Sequence, residues 1–225
     1  MHLRICALLA IVIVGLVGAQ ASPEAKTVLA TNNEGVAVTY GSVLKLMHDT
    51  TNGRLHASDI RYNAGGPQYF VVTGHRGVVN SDSYWVVKPV EGSSLEQGDL
   101  IPNGSVVRLQ HMRTNNWLHS RSFPSPLSRN LEVSSREGQD EDTGDLWRLE
   151  LVDESEVWMK DRKIRLKHVV TGSFLHSHEM TYVRVLPRQM EVCSVGEESV
   201  DNVWLASEGV YLQAGSAATP ESVEK

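Results

Sequence analysis

The chain has 225 residues, of which 41% are apolar and 21% charged, and this composition suits one ordinary globular domain or two very small ones. It also lacks the compositional bias of a disordered chain. The formal net charge of −6 argues against nucleic acid as a partner, because a polyanion is bound by basic surfaces.

The N-terminus has the layout of a secretory signal peptide. A short basic segment, MHLR, precedes an uninterrupted apolar run at Ile5–Val17, and the sequence AQA at 19–21 supplies the small residues of a cleavage site. Thirteen apolar residues are too few to span a bilayer, so no membrane span is expected. We predict a cleaved signal peptide at 1–21, a leader at 22–34 and entry into the secretory pathway.

Cleavage after residue 21 removes Arg4 and Cys6 and leaves 20 Lys and Arg against 27 Asp and Glu, a formal charge of −7. Cys193 is then the only cysteine, which excludes an intramolecular disulfide and a cysteine-based zinc site. Asn103 begins the sequon Asn-Gly-Ser and is a candidate glycosylation site in a chain that reaches the lumen.

The rest of the chain contains an internal repeat in three copies. Each copy opens with an apolar, basic, Leu, variable, His pattern, has a Leu-His pair that ends eight residues later, and closes with a Trp 36 or 37 residues after the first His. Apolar residues alternate along short segments separated by turn residues, which predicts β-strands and no long helix. The opening histidines are His48, His111 and His168, the paired ones His56, His119 and His176, and the closing tryptophans Trp85, Trp147 and Trp204.

Three copies of about four strands each favour closure around a pseudo-threefold axis, because one copy cannot bury its apolar face alone whereas three can close a barrel. The predicted fold is an all-β β-trefoil over 35–211, with repeats at about 35–90, 98–152 and 155–211 and a flexible tail at 212–225. A three-bladed propeller is disfavoured, since propellers normally have four or more blades.

Residues that recur at symmetric positions indicate architecture, because a catalytic residue is needed only once. We predict that the three opening histidines are buried, neutral and hydrogen-bonded to loop backbone, and that the three tryptophans are core residues. Trp117 lies beside a turn and is predicted to be partly exposed, as a candidate stacking platform. Cys193 aligns with Thr73 and Ser134 and is interpreted as a small residue in a tight strand position, with a nucleophilic cysteine as the alternative.

The repeat resembles the MIR motif, which protein O-mannosyltransferases, inositol trisphosphate receptors and ryanodine receptors share. A signal peptide followed by three such repeats, with the segments Ser125–Asn130 and Val72–Gly74, is similar to the stromal cell-derived factor 2 family. The resemblance covers 35–211 and implies a β-trefoil in the endoplasmic reticulum, in a complex with a lumenal J-domain co-chaperone and the chaperone BiP for protein quality control. The sequence ends ESVEK without a KDEL-type signal, so retention through partners, or secretion, is expected.

The segment FLHSHEMTY at 174–182 resembles the fullest form of the MIR motif, where a ligand can sit in mannosyltransferase MIR domains. The candidate ligand-binding residues are therefore His176, Ser177, His178 and Tyr182, together with Trp117. In the other copies Ser58 and Arg121 replace the second histidine, so a pocket of this type is expected only in the third. His178→Ala with Tyr182→Ala is expected to abolish glycan or peptide binding and to leave thermal stability almost unchanged.

No motif of an esterase, zinc protease, nucleotide-binding or dinucleotide-binding enzyme is present, so we expect a non-enzymatic module with no cofactor and no metal. Two functions remain. The first is an adaptor of the lumenal folding machinery that binds the J-domain co-chaperone and BiP, and client polypeptides as well. The alternative is a lectin-like protein that binds glycans or O-mannosylated chains, in the lumen or outside the cell.

Overall fold

The computed structural model describes residues 35–62, 69–77 and 79–215, so the predicted signal peptide and leader and residues 216–225 lie outside it. Its strands fall four to each predicted repeat. No helix in the described part of the chain has the length and apolar character of a membrane span. The strands are β1 (Val43–His48), β2 (Arg54–Arg61), β3 (Tyr69–His75), β4 (Trp85–Lys88), β5 (Val106–His111), β6 (Trp117–Pro124), β7 (Leu131–Arg136), β8 (Trp147–Leu151), β9 (Lys163–His168), β10 (Phe174–Thr181), β11 (Met190–Val195) and β12 (Trp204–Val210).

The first and fourth strands of the repeats form a closed six-stranded barrel. β1 pairs with β4 and β12, β5 pairs with β4 and β8, and β9 pairs with β8 and β12, always antiparallel. Leu44 and Leu46 of β1 and their counterparts Val107, Leu109, Ile164 and Leu166 are fully buried. A closed ring leaves no strand edge exposed, so the repeats stabilise one another.

The second and third strands of the repeats form three hairpins, β2 with β3, β6 with β7 and β10 with β11. β3, β7 and β11 also pair with one another, which brings the hairpins together around the pseudo-threefold axis. Each hairpin has a register shift near its outer end. A six-stranded barrel with three hairpins is the predicted β-trefoil, so the predicted fold class is confirmed.

The closing tryptophan of each repeat lies in the core and is fully buried. Its indole Nε1–H donates to the backbone carbonyl of the leucine in the Leu-His pair of the same repeat, at 2.9 to 3.0 Å. This bond ties the fourth strand to the hairpin and satisfies the polar atom of the indole. The pairs are Trp85 with Leu55, Trp147 with Leu118 and Trp204 with Leu175.

The opening histidine of each repeat is buried and packs against a closing tryptophan, with ring centroids 4.9 to 5.2 Å apart. Its Nδ1 bonds the hydroxyl of a threonine three residues later, a His-x-x-Thr pattern that is visible in all three sequence copies. The next residue, Asn52, Asn115 or Gly172, has a φ of 57°, 60° or 67°, where Asn and Gly are the favoured residues. Burial lowers the pKa of His48, His111 and His168, so these imidazoles are neutral at pH 7.

Candidate functional site

The hairpin of the third repeat carries most of the candidate ligand-binding residues. His176 and His178 are two positions apart on β10 and share one face, with ring centroids 5.4 Å apart. Ser177 points to the opposite face with Leu175, is fully buried, and donates its hydroxyl to the carbonyl of Glu191 at 3.0 Å. Ser177 is therefore removed from the candidate ligand contacts, because the two-residue period of the strand places it in the core.

The prediction that Trp117 is partly exposed is wrong. Its side chain is 7% exposed, and the guanidinium of Arg108 lies 4.3 Å from the ring centroid. Arg108 comes from β5, the barrel strand before the hairpin, so this contact depends on tertiary packing. A sugar or peptide cannot stack on the face of the indole that Arg108 covers.

His178 forms an ion pair with Glu191 across the hairpin, with Nε2 and Oε2 3.1 Å apart. Glu191 is fully buried, and its carboxylate accepts the backbone N–H groups of Leu127 at 2.7 Å and Ser128 at 3.0 Å. Burial alone would raise the pKa of Glu191, but the hydrogen bonds from His178, Ser128 and Leu127 lower the pKa to about 2. Hydrogen bonding to Cys193 and then to Glu191 raises the pKa of His178 to about 9. At pH 7 the hairpin therefore holds a buried carboxylate paired with an imidazolium.

This ion pair changes one expectation drawn from the sequence. Replacing His178 by alanine leaves the carboxylate of Glu191 buried without its counter-charge, which is strongly destabilising in proteins. We therefore no longer expect the double substitution of His178 and Tyr182 to leave thermal stability unchanged. Any loss of binding in that variant has to be separated from a loss of folded protein.

The residue at the position of His178, and its contact with the neighbouring strand, differ from repeat to repeat. In the second repeat Nε and Nη2 of Arg121 donate to the two carboxylate oxygens of Glu132, at 2.8 and 3.0 Å. In the first, the hydroxyl of Ser58 donates to the carbonyl of Val71 at 2.7 Å. Sequence reasoning missed Glu132 and Glu191, although both occupy the same position of the aligned repeats, opposite a cationic residue.

Cys193 lies beside the two histidines of β10. It is fully buried on β11, directly opposite His176 in the strand register. One ring nitrogen of His176, one of His178 and Sγ of Cys193 all lie within 4.8 Å of one another. The exclusion of a cysteine-based zinc site considered cysteines alone, whereas strand pairing places two histidines beside Cys193. That exclusion stays a prediction.

The histidine of the Leu-His pair in each repeat contacts the last residue of a short 3₁₀ helix. These helices are Ser81–Ser83, Thr143–Asp145 and Val200–Asn202. His119 Nδ1 donates to Asp145 at 3.0 Å, and the side chain of Arg136 binds the same carboxylate at 2.5 and 3.1 Å. The other two contacts join His56 to Ser83 at 3.4 Å and His176 to Asn202 at 3.2 Å. Asp145 is the last of five acidic residues in the segment 137–145, which we call the acidic segment. Such a charge cluster is typical of a solvated loop, but Asp145 is fully buried.

Tyr182 lies in a pocket at the outer ends of the hairpins. The cavity has a volume of about 450 Å³ and receives residues from all three hairpins. Burial raises the pKa of the Tyr182 phenol, which interacts with that of Tyr62. Ile60 and Val185 at the rim are 40% and 53% exposed. We call this cavity the hairpin-end pocket; its mainly apolar lining includes Ile60, Tyr62, Val71, Pro124, Pro126, Tyr182, Val185 and Leu186.

A second apolar cavity of about 580 Å³ is lined by Val43, Tyr84, Met112 and Val210, with Arg113 beside them. We call it the side recess. Met112 is 57% exposed and Val210 67% exposed. Its lining residues come from distant parts of the sequence, so no local pattern could have indicated either cavity.

Asn103, the candidate glycosylation residue, lies in an exposed turn between β4 and β5. Its side-chain oxygen accepts the backbone N–H of Leu151 at 2.9 Å. An N-linked glycan is attached through the amide nitrogen, so this hydrogen bond to the side-chain oxygen leaves the nitrogen available for glycosylation. Glycosylation of Asn103 remains a prediction.

Comparison with known proteins supports the repeat analysis, although no protein-family model matches the chain. The chain is 49% identical over 184 residues to a stromal cell-derived factor 2-like protein of Arabidopsis thaliana, an alignment that covers 81% of this chain and 84% of that protein. It is 36% identical over 187 residues to stromal cell-derived factor 2 of Homo sapiens, with 82% of this chain and 87% of that protein covered.

Solved structures give the same result. The crystal structure of the SDF2-like protein from Arabidopsis thaliana matches with a TM-score of 0.77 and 47% identity, over 80% of this chain and all of that one. The S. cerevisiae protein O-mannosyltransferase Pmt1-Pmt2 complex bound to the sugar donor matches with a TM-score of 0.65 and 23% identity, over 84% of this chain and 29% of that one. At this identity the second match indicates a shared fold and nothing about ligands.

Proposed function

Because the chain belongs to the stromal cell-derived factor 2 family, we propose that it is a non-enzymatic binding module of the endoplasmic reticulum lumen. It acts as an adaptor in a chaperone complex for protein folding and quality control. It docks a polypeptide segment of a J-domain co-chaperone, and that co-chaperone recruits BiP. The family membership and the hairpin-end pocket support this proposal.

The hairpin-end pocket is the observation that carries the proposal. Its walls are mainly apolar, and the same hairpins expose further apolar side chains: Val183 is 84% exposed, Met180 50% and Phe123 44%. Exposed apolar patches with polar surroundings mark interaction sites in soluble proteins. An extended segment of a partner with apolar side chains would bury these exposed residues against its own.

The geometry favours a polypeptide over a glycan. Of the five candidate ligand-binding residues, Ser177 is in the core and Trp117 is covered by Arg108. His178 is engaged with Glu191. A sugar site needs polar groups and an accessible aromatic face. Six of the ten residues that line the hairpin-end pocket are aliphatic residues or prolines; the others are two tyrosines, Arg61 and Glu132, and Glu132 already pairs with Arg121.

The ionisable groups of the third hairpin also fit a binding role. Glu191 is fully buried, and its carboxylate oxygens already accept hydrogen bonds from His178, Leu127 and Ser128. A general acid or base has to reach the reacting atom of a substrate. A carboxylate held in an internal ion pair instead stabilises the hairpin.

The proposal is tested by affinity purification of the tagged chain from a lumenal extract, with quantification of the J-domain protein and BiP. Val185→Glu places a charge on the exposed rim of the hairpin-end pocket, where a partner has to desolvate it. We expect recovery of both partners to fall at least about tenfold, with the melting temperature of the chain unchanged. Met112→Glu in the side recess, at a residue of similar exposure, is the matched control and is expected to retain them.

Two results would contradict the proposal at different levels. If the unsubstituted chain recovers neither partner yet binds a defined glycan saturably, the adaptor function is wrong and the lectin alternative stands. If Met112→Glu alone removes the partners, the docking surface is the side recess and the hairpin-end pocket is not used.

A further inference from the structure

Three side chains with metal-binding atoms converge on the third hairpin. His176 and His178 project from one face of β10, and Cys193 lies opposite His176 on β11. Cross-strand partners project to the same side of a sheet, so the strand pairing itself brings the thiol to the histidines. One nitrogen of each ring and the sulfur lie within 4.8 Å of one another.

Imidazole nitrogen and thiolate sulfur are the ligands that zinc prefers, with bond lengths of about 2.0 Å to nitrogen and about 2.3 Å to sulfur. Ligand atoms around one tetrahedral zinc ion are then about 3.3 to 3.7 Å apart. The observed separations reach that range with side-chain movements on the order of 1 Å. We propose that His176, His178 and Cys193 form a zinc-binding site with water in the fourth position.

The local charge fits a divalent cation. Glu191 is fully buried and its Oε2 lies 3.1 Å from Nε2 of His178. When zinc binds, the proton that His178 shares with Glu191 and the thiol proton of Cys193 leave to solvent. The zinc ion, the Cys193 thiolate and the Glu191 carboxylate then sum to zero charge, which makes burial of the ion tolerable.

The other repeats lack this arrangement, although they share the backbone. At the three ligand positions the first repeat has His56, Ser58 and Thr73, and the second has His119, Arg121 and Ser134. Each of them keeps only the first histidine. His56 and His119 are therefore matched controls, because substituting either one removes the histidine without removing a zinc ligand.

Asn202 sets the affinity of the site. Its side-chain oxygen accepts the N–H of Ser199, so its amide nitrogen faces Nδ1 of His176 at 3.2 Å and Nε2 is left for the metal. Metal bound at Nε2 moves the ring proton to Nδ1, which then lacks an acceptor. In the second repeat the same position is Asp145, which accepts Nδ1–H of His119. Asn202→Asp is therefore expected to tighten zinc binding about tenfold, since partners that accept the distal N–H of a ligating histidine change metal affinity by such factors.

The test uses the full chain as purified, freed of metal and reduced. Titration calorimetry with Zn²⁺ is expected to show one ion per chain, and Co²⁺ in its place is expected to give the intense charge-transfer absorption of a thiolate ligand. Cys193→Ser should abolish that absorption. His178→Arg, which copies the Arg121–Glu132 pair of the second repeat, should lower zinc affinity by roughly 100-fold or more. Its melting temperature should fall by only about 2 to 4 °C. His56→Gln is the matched control and should leave affinity unchanged.

Several outcomes would overturn the site. They are the absence of a saturable Zn²⁺ binding event in the unsubstituted chain, Co²⁺ binding without thiolate absorption, and equal loss of affinity in His56→Gln and His178→Arg. An affinity that is unchanged or weaker in Asn202→Asp would contradict the assigned role of Asn202. These measurements need no chaperone partner, so the zinc site and the adaptor function stand or fall separately.

Discussion

Asp145→Asn is expected to lower the free energy of unfolding by about 3 kcal/mol, because it leaves the guanidinium of Arg136 buried without its counter-charge. Asp145 is fully buried and binds Arg136 at 2.5 and 3.1 Å and His119 at 3.0 Å. Arg136 itself is only 8% exposed, so water cannot replace the lost carboxylate. For a domain of this size the melting temperature should fall by about 6 to 12 °C, measured by calorimetry at pH 7.

The pH dependence of the stability difference tests whether the lost charge of Asp145 is what destabilises the variant. Burial alone would raise the pKa of Asp145, but the hydrogen bonds from His119 and Arg136 outweigh it and lower the pKa below 3.8. A lowered pKa in the folded state means that the stabilisation is complete above the unfolded pKa of about 3.9 and is lost as the pH falls through the folded value. The stability difference between the two proteins should therefore be constant from about pH 7 to 5 and narrow below about pH 4.

Asp140→Asn is the control for this substitution, since Asp140 lies in the same acidic segment and is exposed. It should change the free energy of unfolding by less than about 0.5 kcal/mol. Equal effects of the two substitutions, or a difference that widens below pH 4, would show that the acidic segment acts through general charge and not through the buried contact with Arg136.

His178→Ala is expected to cost about 2 to 3 kcal/mol, because the buried carboxylate of Glu191 loses its cationic partner but keeps two backbone N–H donors. His178→Arg should restore all but about 1 kcal/mol of this loss, since the second repeat places Arg121 against Glu132 on the same backbone. Urea unfolding of the three proteins, in the presence of a chelator, measures both effects.

Comparison of His178→Arg with His178→Ala shows whether Glu191 needs a cation or the imidazole itself. If His178→Arg is as unstable as His178→Ala, the site needs the imidazole itself and the analogy with the second repeat is wrong. If neither substitution changes stability, the amides of Leu127 and Ser128 alone are enough to hold Glu191.

The fold could be predicted from the sequence because its signal is repeated. The His, Leu-His and Trp positions recur three times at nearly constant spacing, and each recurrence reports the same strand, turn and core contact, as the hydrogen bonds of Trp85, Trp147 and Trp204 show. The family inferred from that pattern is confirmed by the relatives. The His-x-x-Thr contact was also present in the sequence, at Thr51, Thr114 and Thr171, but was not recognised there.

The candidate site was predicted less well, because its contacts join residues that are distant in sequence. Trp117 was expected at the surface, but Arg108 of the neighbouring barrel strand covers it. His178 was expected to be a free contact residue, but Glu191 on the partner strand binds it. Cys193 was considered alone, since its relation to His176 depends on the hairpin register.

By itself the sequence determined the β-trefoil and the three repeats, because periodic apolar and turn positions encode strands and their order. The family followed from the resemblance of the repeat to the MIR motif. Only the tertiary structure decided what the corresponding side chains of the three repeats contact. The three hairpins share one backbone, and cross-strand register and packing distinguish a Ser58 hydroxyl, an Arg121 guanidinium and a His178 imidazole by what each one meets. Each of these contacts joins residues that are 11 to 13 positions apart and depends on the strand register. A local pattern of residue types therefore does not predict them.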